Sequence, residues 1–89
     1  MVRAHILFSG TVQGIGFRYT AQGFARDLKL VGWVKNLPSG NVEILVEGAK
    51  ESIEGLVENL DRYFDGYIRG KKIVYTVEEK NFSKFEIVS

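Results

Sequence analysis

The run Gly10-Thr11-Val12-Gln13-Gly14-Ile15-Gly16-Phe17-Arg18 contains the parts of an anion site. Glycines at 14 and 16 permit positive φ and close approach of backbone to a ligand, so successive N–H groups can face inward as a nest. A helix starting after the loop presents its positive end at the same place. Arg18, in the first turn, adds a full charge on a planar fork that fits phosphate oxygens. A small tetrahedral dianion is the ligand this combination favours. Two common phosphate loops do not fit. There is no Gly-Lys-Ser/Thr step, and Gly14-Ile15-Gly16-Phe17-Arg18-Tyr19 ends in tyrosine where a dinucleotide fingerprint has its third glycine. The plainer reading of the glycines is a turn after a strand. Asn36, ahead of Leu37-Pro38-Ser39-Gly40, also has a plain reading: a turn asparagine that bonds its own backbone.

These residues need elements to position them. Val2, Ala4, Ile6 and Phe8 alternate with Arg3, His5, Leu7 and Ser9, the period of a strand. Phe17, Ala21, Phe24 and Leu28 fall on one face of a helix, despite the roughly 1 kcal/mol that Gly23 costs it. Val31 to Lys35 reads as a second strand, and Leu37–Gly40 fits a type I turn with Pro38 second and Gly40 fourth. The third strand turns Val42, Ile44 and Val46 to one side and Glu43, Leu45 and Glu47 to the other. A second helix from about Lys50 carries Ile53, Leu56, Val57, Leu60 and Phe64, and Asp65-Gly66 ends it. Ile73, Tyr75 and Val77 mark a fourth strand, and Phe85 and Ile87 a short last one.

The order β-α-β-β-α-β plus a short strand predicts an α+β, ferredoxin-like split β-α-β sandwich. Its sheet is expected to be antiparallel in the order 4-1-3-2, with both helices on one face and the other face more open to water. The first and second strands then run parallel with the third between them. Their C-terminal ends share one end of the sheet, about 10 Å apart at ~4.8 Å per strand spacing. An extended Arg18 from one side and the Asn36 amide from the other can share a small ligand across that gap.

Length and composition limit the remaining choices. The 89 residues fit one domain, residues 1–89. The 12 basic and 11 acidic residues are interspersed and leave a net charge of +1, which argues against a nucleic-acid partner. With no cysteine and a single histidine, His5, neither a disulfide nor a metal site is expected. No apolar run approaches the ~18 residues of a membrane span, and the N-terminus is unlike a signal peptide. The reading is a soluble, cytoplasmic monomer without a membrane partner.

At this point the residues point to a family. Gly10–Arg18 resembles the acylphosphatase signature, whose core is V-Q-G-[VI]-x-F-R, and Gly32-Trp33-Val34-Lys35-Asn36 resembles that family's second signature, G-W-V-[RK]-N. The interval between Arg18 and Asn36 matches too. The similarity extends through Val42–Gly48 and the second helix to Phe85-Glu86-Ile87, which resembles the family's F-x-I ending. The resemblance implies the ferredoxin-like fold and hydrolysis of the carboxyl–phosphate bond of acyl phosphates by a free-standing enzyme, with no metal and no cofactor. It implies that Arg18 binds phosphate, that Asn36 positions the attacking water, and that Gln13, Gly14, Ile15, Gly16 and Phe17 form a backbone phosphate cradle. There are two departures. Lys29 stands where many members have glycine at the end of the first helix. The segment Phe64–Lys72 lacks the family's Gly-Pro or Gly-Ser step, which is expected to affect a loop far from the site, and stability.

Other residues have competing readings. Trp33, mid-strand beside Gly32, is expected in the core. Lys71-Lys72 reads as a solvated strand start. His5 precedes the loop by too much to be its base. The Gln13 side chain either donates to substrate or shapes the loop. An RNA-binding module of the same fold would need aromatics on the third strand, and Val42–Val46 has none. A non-catalytic small-anion module would bind phosphate without turnover. Nothing in the loop selects among acyl groups.

Overall fold

The alternating segments form strands and the two segments of helical period form helices. In chain order these are β1 (Val2–Gly10), α1 (Phe17–Asp27), β2 (Val31–Asn36), β3 (Val42–Gly48), α2 (Lys50–Tyr63), β4 (Ile68–Thr76) and β5 (Phe85–Ile87). The structure is a computed structural model and describes residues 1–77 and 81–88. No helix among them is long and apolar enough to cross a membrane.

One five-stranded sheet has the order β4-β1-β3-β2-β5. β1 is antiparallel to β3 and β4, and β2 is antiparallel to β3. β5 pairs parallel with β2 through Gly32↔Phe85, Trp33↔Glu86 and Val34↔Ile87. The sheet is therefore mixed, where the sequence pattern suggested a purely antiparallel one. The reason is geometric. β4 ends at the end of the sheet remote from the glycine loop, and β5 begins at that same end, so β5 must run the way β2 does. Buried Phe85 and a bond from Gln22 Nε2 to Phe85 O at 3.2 Å hold it in place.

The helix-covered face carries the core. Ala4, Ile6 and Phe8 of β1 and Val42, Ile44 and Val46 of β3 are buried under Ile53, Leu56 and Leu60 of α2. Each such side chain is worth roughly 1.5–3 kcal/mol of burial, alanine excepted. On α1 the buried residues are Phe17, Ala21 and Ala25. Phe24 and Leu28 turn instead towards α2, where the Phe24 ring meets Tyr63 edge-on at 5.8 Å.

Three expectations change. Trp33 lies half-buried on the open face, with Lys35 Nζ 5.2 Å over its ring, while Gly32 and Val34 take the core side. Gly32 is fixed there because a Cβ would stand 1.9 Å from Leu45 O. β4 begins at Ile68, so Lys71 and Lys72 are mid-strand, and Val77 lies beyond its end, 86% exposed. Finally, the 64–72 segment is not remote from the loop. Gly66 (φ +89°) turns the chain so that Tyr67 N–H bonds Phe64 O, and Tyr67 O then accepts Thr11 N–H at 2.9 Å.

Helix α1 ends in a Schellman closure. Lys29 N–H donates to Arg26 O at 3.0 Å and Leu30 N–H to Ala25 O at 2.8 Å. Lys29 takes φ 59°, the one positive φ on a non-glycine among the described residues. A side chain in this region costs roughly 1–2 kcal/mol, partly offset by the smaller unfolded-state freedom of a non-glycine. Lys29→Gly is thus expected to stabilise the fold by about 0.5–1 kcal/mol, read as a higher urea midpoint at unchanged slope.

At the end of the sheet remote from the loop, Glu47 is buried but fully engaged. Oε2 accepts Arg3 Nη2 at 2.7 Å and Nε at 3.1 Å, and Oε1 accepts the Asn81 and Phe82 amides at 2.8 and 3.3 Å. It thereby holds the chain on its way to β5. Burial alone would raise the Glu47 pKa, but the Asn81 amide, Arg3 and the Phe82 amide together bring it below the ordinary 4.5. A lowered folded-state value means that the stabilisation is whole above that ordinary value and is lost as pH falls through the folded one. Glu47→Gln should cost roughly 1–3 kcal/mol at pH 7. In paired urea titrations, its deficit against the parent should shrink once the pH drops below 4.5.

Candidate active site

The loop after β1 is pinned at both ends. At its entry the register with β4 shifts between Ser9 and Gly10, and Gly10 adopts φ +114°. A Cβ there would stand 2.4 Å from Tyr67 O and 2.7 Å from Arg69 N, so only glycine fits. Val12 is fully buried. At the exit the Phe17 ring enters the core, 5.1 Å from Phe8 and 4.9 Å from Phe64.

Between these anchors Gly14 and Gly16 both take φ +79°. An added Cβ at either would meet nothing within 4 Å. The left-handed backbone, not crowding, therefore calls for glycine, and the space above the loop is open. Gly16 is the N-cap of α1 and supplies no side-chain cap, and the first turn carries no acidic residue. The amides of Phe17, Arg18 and Tyr19 occupy positions that have no carbonyl partner within the helix. The Arg18 charge stands against the helix dipole, an arrangement worth roughly 0.3–1 kcal/mol against folding unless an anion balances it.

Asn36 is the last residue of β2 and pairs with Val42. The predicted turn forms, closed by Gly40 N–H to Leu37 O at 3.0 Å and Leu37 N–H to Asn41 O at 2.8 Å. Asn36 Oδ1 is buried with no hydrogen-bond partner, the one such side-chain atom found among the described residues. It does not bond its own backbone as a turn asparagine would. Gln13 Nε2 reaches across to donate to Leu37 O at 2.8 Å and Asn41 O at 2.9 Å.

A cavity of about 150 Å³ joins the two sides, lined by Val12, Gly14, Gly16, Phe17, Arg18, Tyr19 and Asn36. That is small beside the roughly 300–1,000 Å³ of typical ligand clefts. Arg18 and Asn36 thus meet as the topology requires. Gln13 and Ile15 do not line it: the Gln13 amide goes to the hairpin, and Ile15 packs against the core. Val12 and Tyr19 were not singled out from the sequence, although Tyr19 follows Arg18 in the same helical turn and is 75% exposed at the rim. His5 lies apart on the open face, its Nε2 2.6 Å from Glu43 Oε2. A larger hollow of about 550 Å³ beside α2 and β4 carries Glu54, Glu58 and Asp61, the wrong charge for an anion.

Fold and pocket define a class: a ferredoxin-like α+β protein with a small pocket at its strand ends, lined by Arg18 and Asn36. Within that class the chain belongs to the acylphosphatase family of hydrolytic enzymes, whose sequence profile matches residues 4–87. A Methanospirillum hungatei protein called acylphosphatase is 38% identical over 87 residues, 98% of this chain and 93% of that one. One of the same name from Thermococcus kodakarensis is 50% identical over 56 residues, 63% of this chain but only 62% of its own length. The crystal structure of acylphosphatase from Bacillus subtilis superposes over 100% of both chains with TM-score 0.93 at 34% identity.

Because only backbone conformation constrains Gly16, Gly16→Ala should fold and lose about 1–2 kcal/mol. Gly16→Asn should lose less, since asparagine tolerates the left-handed region. Equal losses in chemical denaturation would point to crowding instead.

Proposed function

We propose that this chain hydrolyses the carboxyl–phosphate bond of acyl phosphates, giving a carboxylate and inorganic phosphate. The observation that carries the reading is the buried, unpartnered Asn36 Oδ1 in the same small cavity as Arg18. An unsatisfied buried acceptor costs about 1–3 kcal/mol, and a water donating to it removes that cost at the place where an attacking nucleophile is needed. The names of the relatives above agree with this activity.

In this mechanism the phosphoryl oxygens take N–H groups from the loop residues that line the cavity, Gly14 and Gly16, and from the first turn of α1, together with the Arg18 fork. Asn36 Oδ1 accepts one hydrogen of the water and aims its oxygen at phosphorus, opposite the acyl oxygen. As the new P–O bond forms, the old one breaks and the carboxylate leaves with the bonding pair. The water's proton passes to a phosphate oxygen. A carboxylate is a good leaving group, so positioning and charge stabilisation provide most of what a loose phosphoryl-transfer transition state needs. The positive charge comes from the chain's own groups. The acyl part extends past exposed Tyr19 towards solvent, which suits recognition of the phosphoryl end.

The test is turnover of acetyl phosphate in EDTA. Arg18→Ala should lose on the order of 10³-fold or more in kcat/KM. Asn36→Ala should lose ~10²–10³-fold, mostly in kcat. Parent-like turnover by either variant refutes its role, and phosphate binding by a parent without turnover favours an idle anion module.

A further inference from the structure

We infer that Gln13 is a positioning residue that fixes where Asn36 stands over the phosphate loop. This rests on the water-positioning role proposed for Asn36. A carboxamide nitrogen has two hydrogens, and Gln13 Nε2 bonds two carbonyls, Leu37 O at 2.8 Å and Asn41 O at 2.9 Å. The Gln13 amide nitrogen is therefore not a donor to substrate. The two carbonyls flank the Pro38-Ser39-Gly40 tip, and Leu37 is the residue directly after Asn36.

The other hydrogen bonds of the hairpin are internal. Leu37 N–H to Asn41 O and Gly40 N–H to Leu37 O set its shape but not its place. β1 and β2 are not neighbours, because β3 lies between them. Val42 of β3 pairs with both Phe8 and Asn36, so the ladder sets the spacing of the two strand tips, but the loop around Gln13 and the hairpin tip beyond Asn36 lie outside it. Among the hydrogen bonds of the described residues, the pair from Gln13 spans that gap. In-line attack is sensitive to such placement, since a misplacement of about 1 Å can cost on the order of 10²-fold in rate. The cradle and Arg18 bind phosphate independently of the clamp, so Gln13 acts on turnover and not on anion affinity.

The test is a double-mutant cycle on the full chain, using Gln13→Met, which keeps the length but has no donor, and Asn36→Ala. Readouts are kcat and KM for acetyl phosphate and competitive inhibition by inorganic phosphate. Gln13→Met should lower kcat on the order of 10- to 100-fold, with KM and phosphate inhibition within about threefold of the parent. In the Asn36→Ala background the same substitution should remove less than about twofold more. Equal losses in both backgrounds, a loss carried in KM or phosphate inhibition, or an unchanged kcat would each overturn the clamp. If Asn36→Ala alone turns over like the parent, the water-positioning reading and the clamp fail together. An Asn36-dependent rate with an additive Gln13 loss sinks only the clamp. Should Gln13→Met fail to fold, hydrogen exchange in the parent decides. Gln13 side-chain amide protons exchanging about tenfold slower than those of a free glutamine support the clamp, and free exchange overturns it.

Discussion

A cation in the first turn of a helix sits where the backbone dipole repels it, and the site is organised around that strain. On a chain whose net charge is only +1, Arg18 and the uncapped start of α1 concentrate positive potential at one point. Several features keep it uncompensated from within. Gly16 offers no side chain to cap the amides, the first turn has no acid, and the space above Gly14 and Gly16 is clear. Phe17 bears the structural load. Its ring, seated between Phe8 and Phe64, keeps the helix from retreating from its own unfavourable electrostatics.

β3 sets the scale of the pocket. Inserted between β1 and β2, it separates the loop from Asn36 by two strand spacings, wide enough for a tetrahedral anion and a water but too narrow for a large ligand. The short hairpin tip keeps Asn36 at the rim of the sheet. Close backbone passages at Gly10 and Gly32, where a Cβ would meet Tyr67 O and Leu45 O, leave this frame little room to adjust.

Much of this was legible in the sequence, and what was not has physical reasons. The meeting of Arg18 and Asn36 follows from the order of elements, because a split β-α-β unit forces both strand tips to one end. The turn at Leu37–Gly40 follows from Pro38 and Gly40. The direction of β5 did not show, because three alternating residues carry no polarity and only the exit point of β4 fixes it. The large apolar ring of Trp33 suggests a core position, but the parity of β2 gives the core side to Gly32 and Val34. The start of β4 leaves no sequence signal, since Ile68-Arg69-Gly70-Lys71-Lys72 lacks an apolar alternation, although the ladder to β1 holds it as strand. Side-chain bonds to main-chain carbonyls, such as those of Gln13, leave no periodic trace.

The lysines in the middle of β4 have a consequence for how copies of this protein meet in crowded solution. Among the described residues β4 is an outer strand with one row of peptide groups unpaired by the sheet, and Arg69 and Lys72 charge that border, while Lys71 is paired with Asp61. Two such borders brought together would repel before their amides could pair. The opposite border is β5, only three residues long, too short a template for sheet growth. Both rims of the sheet are thus poor seeds for fibrillar stacking, even though its interior strands are rich in valine and isoleucine.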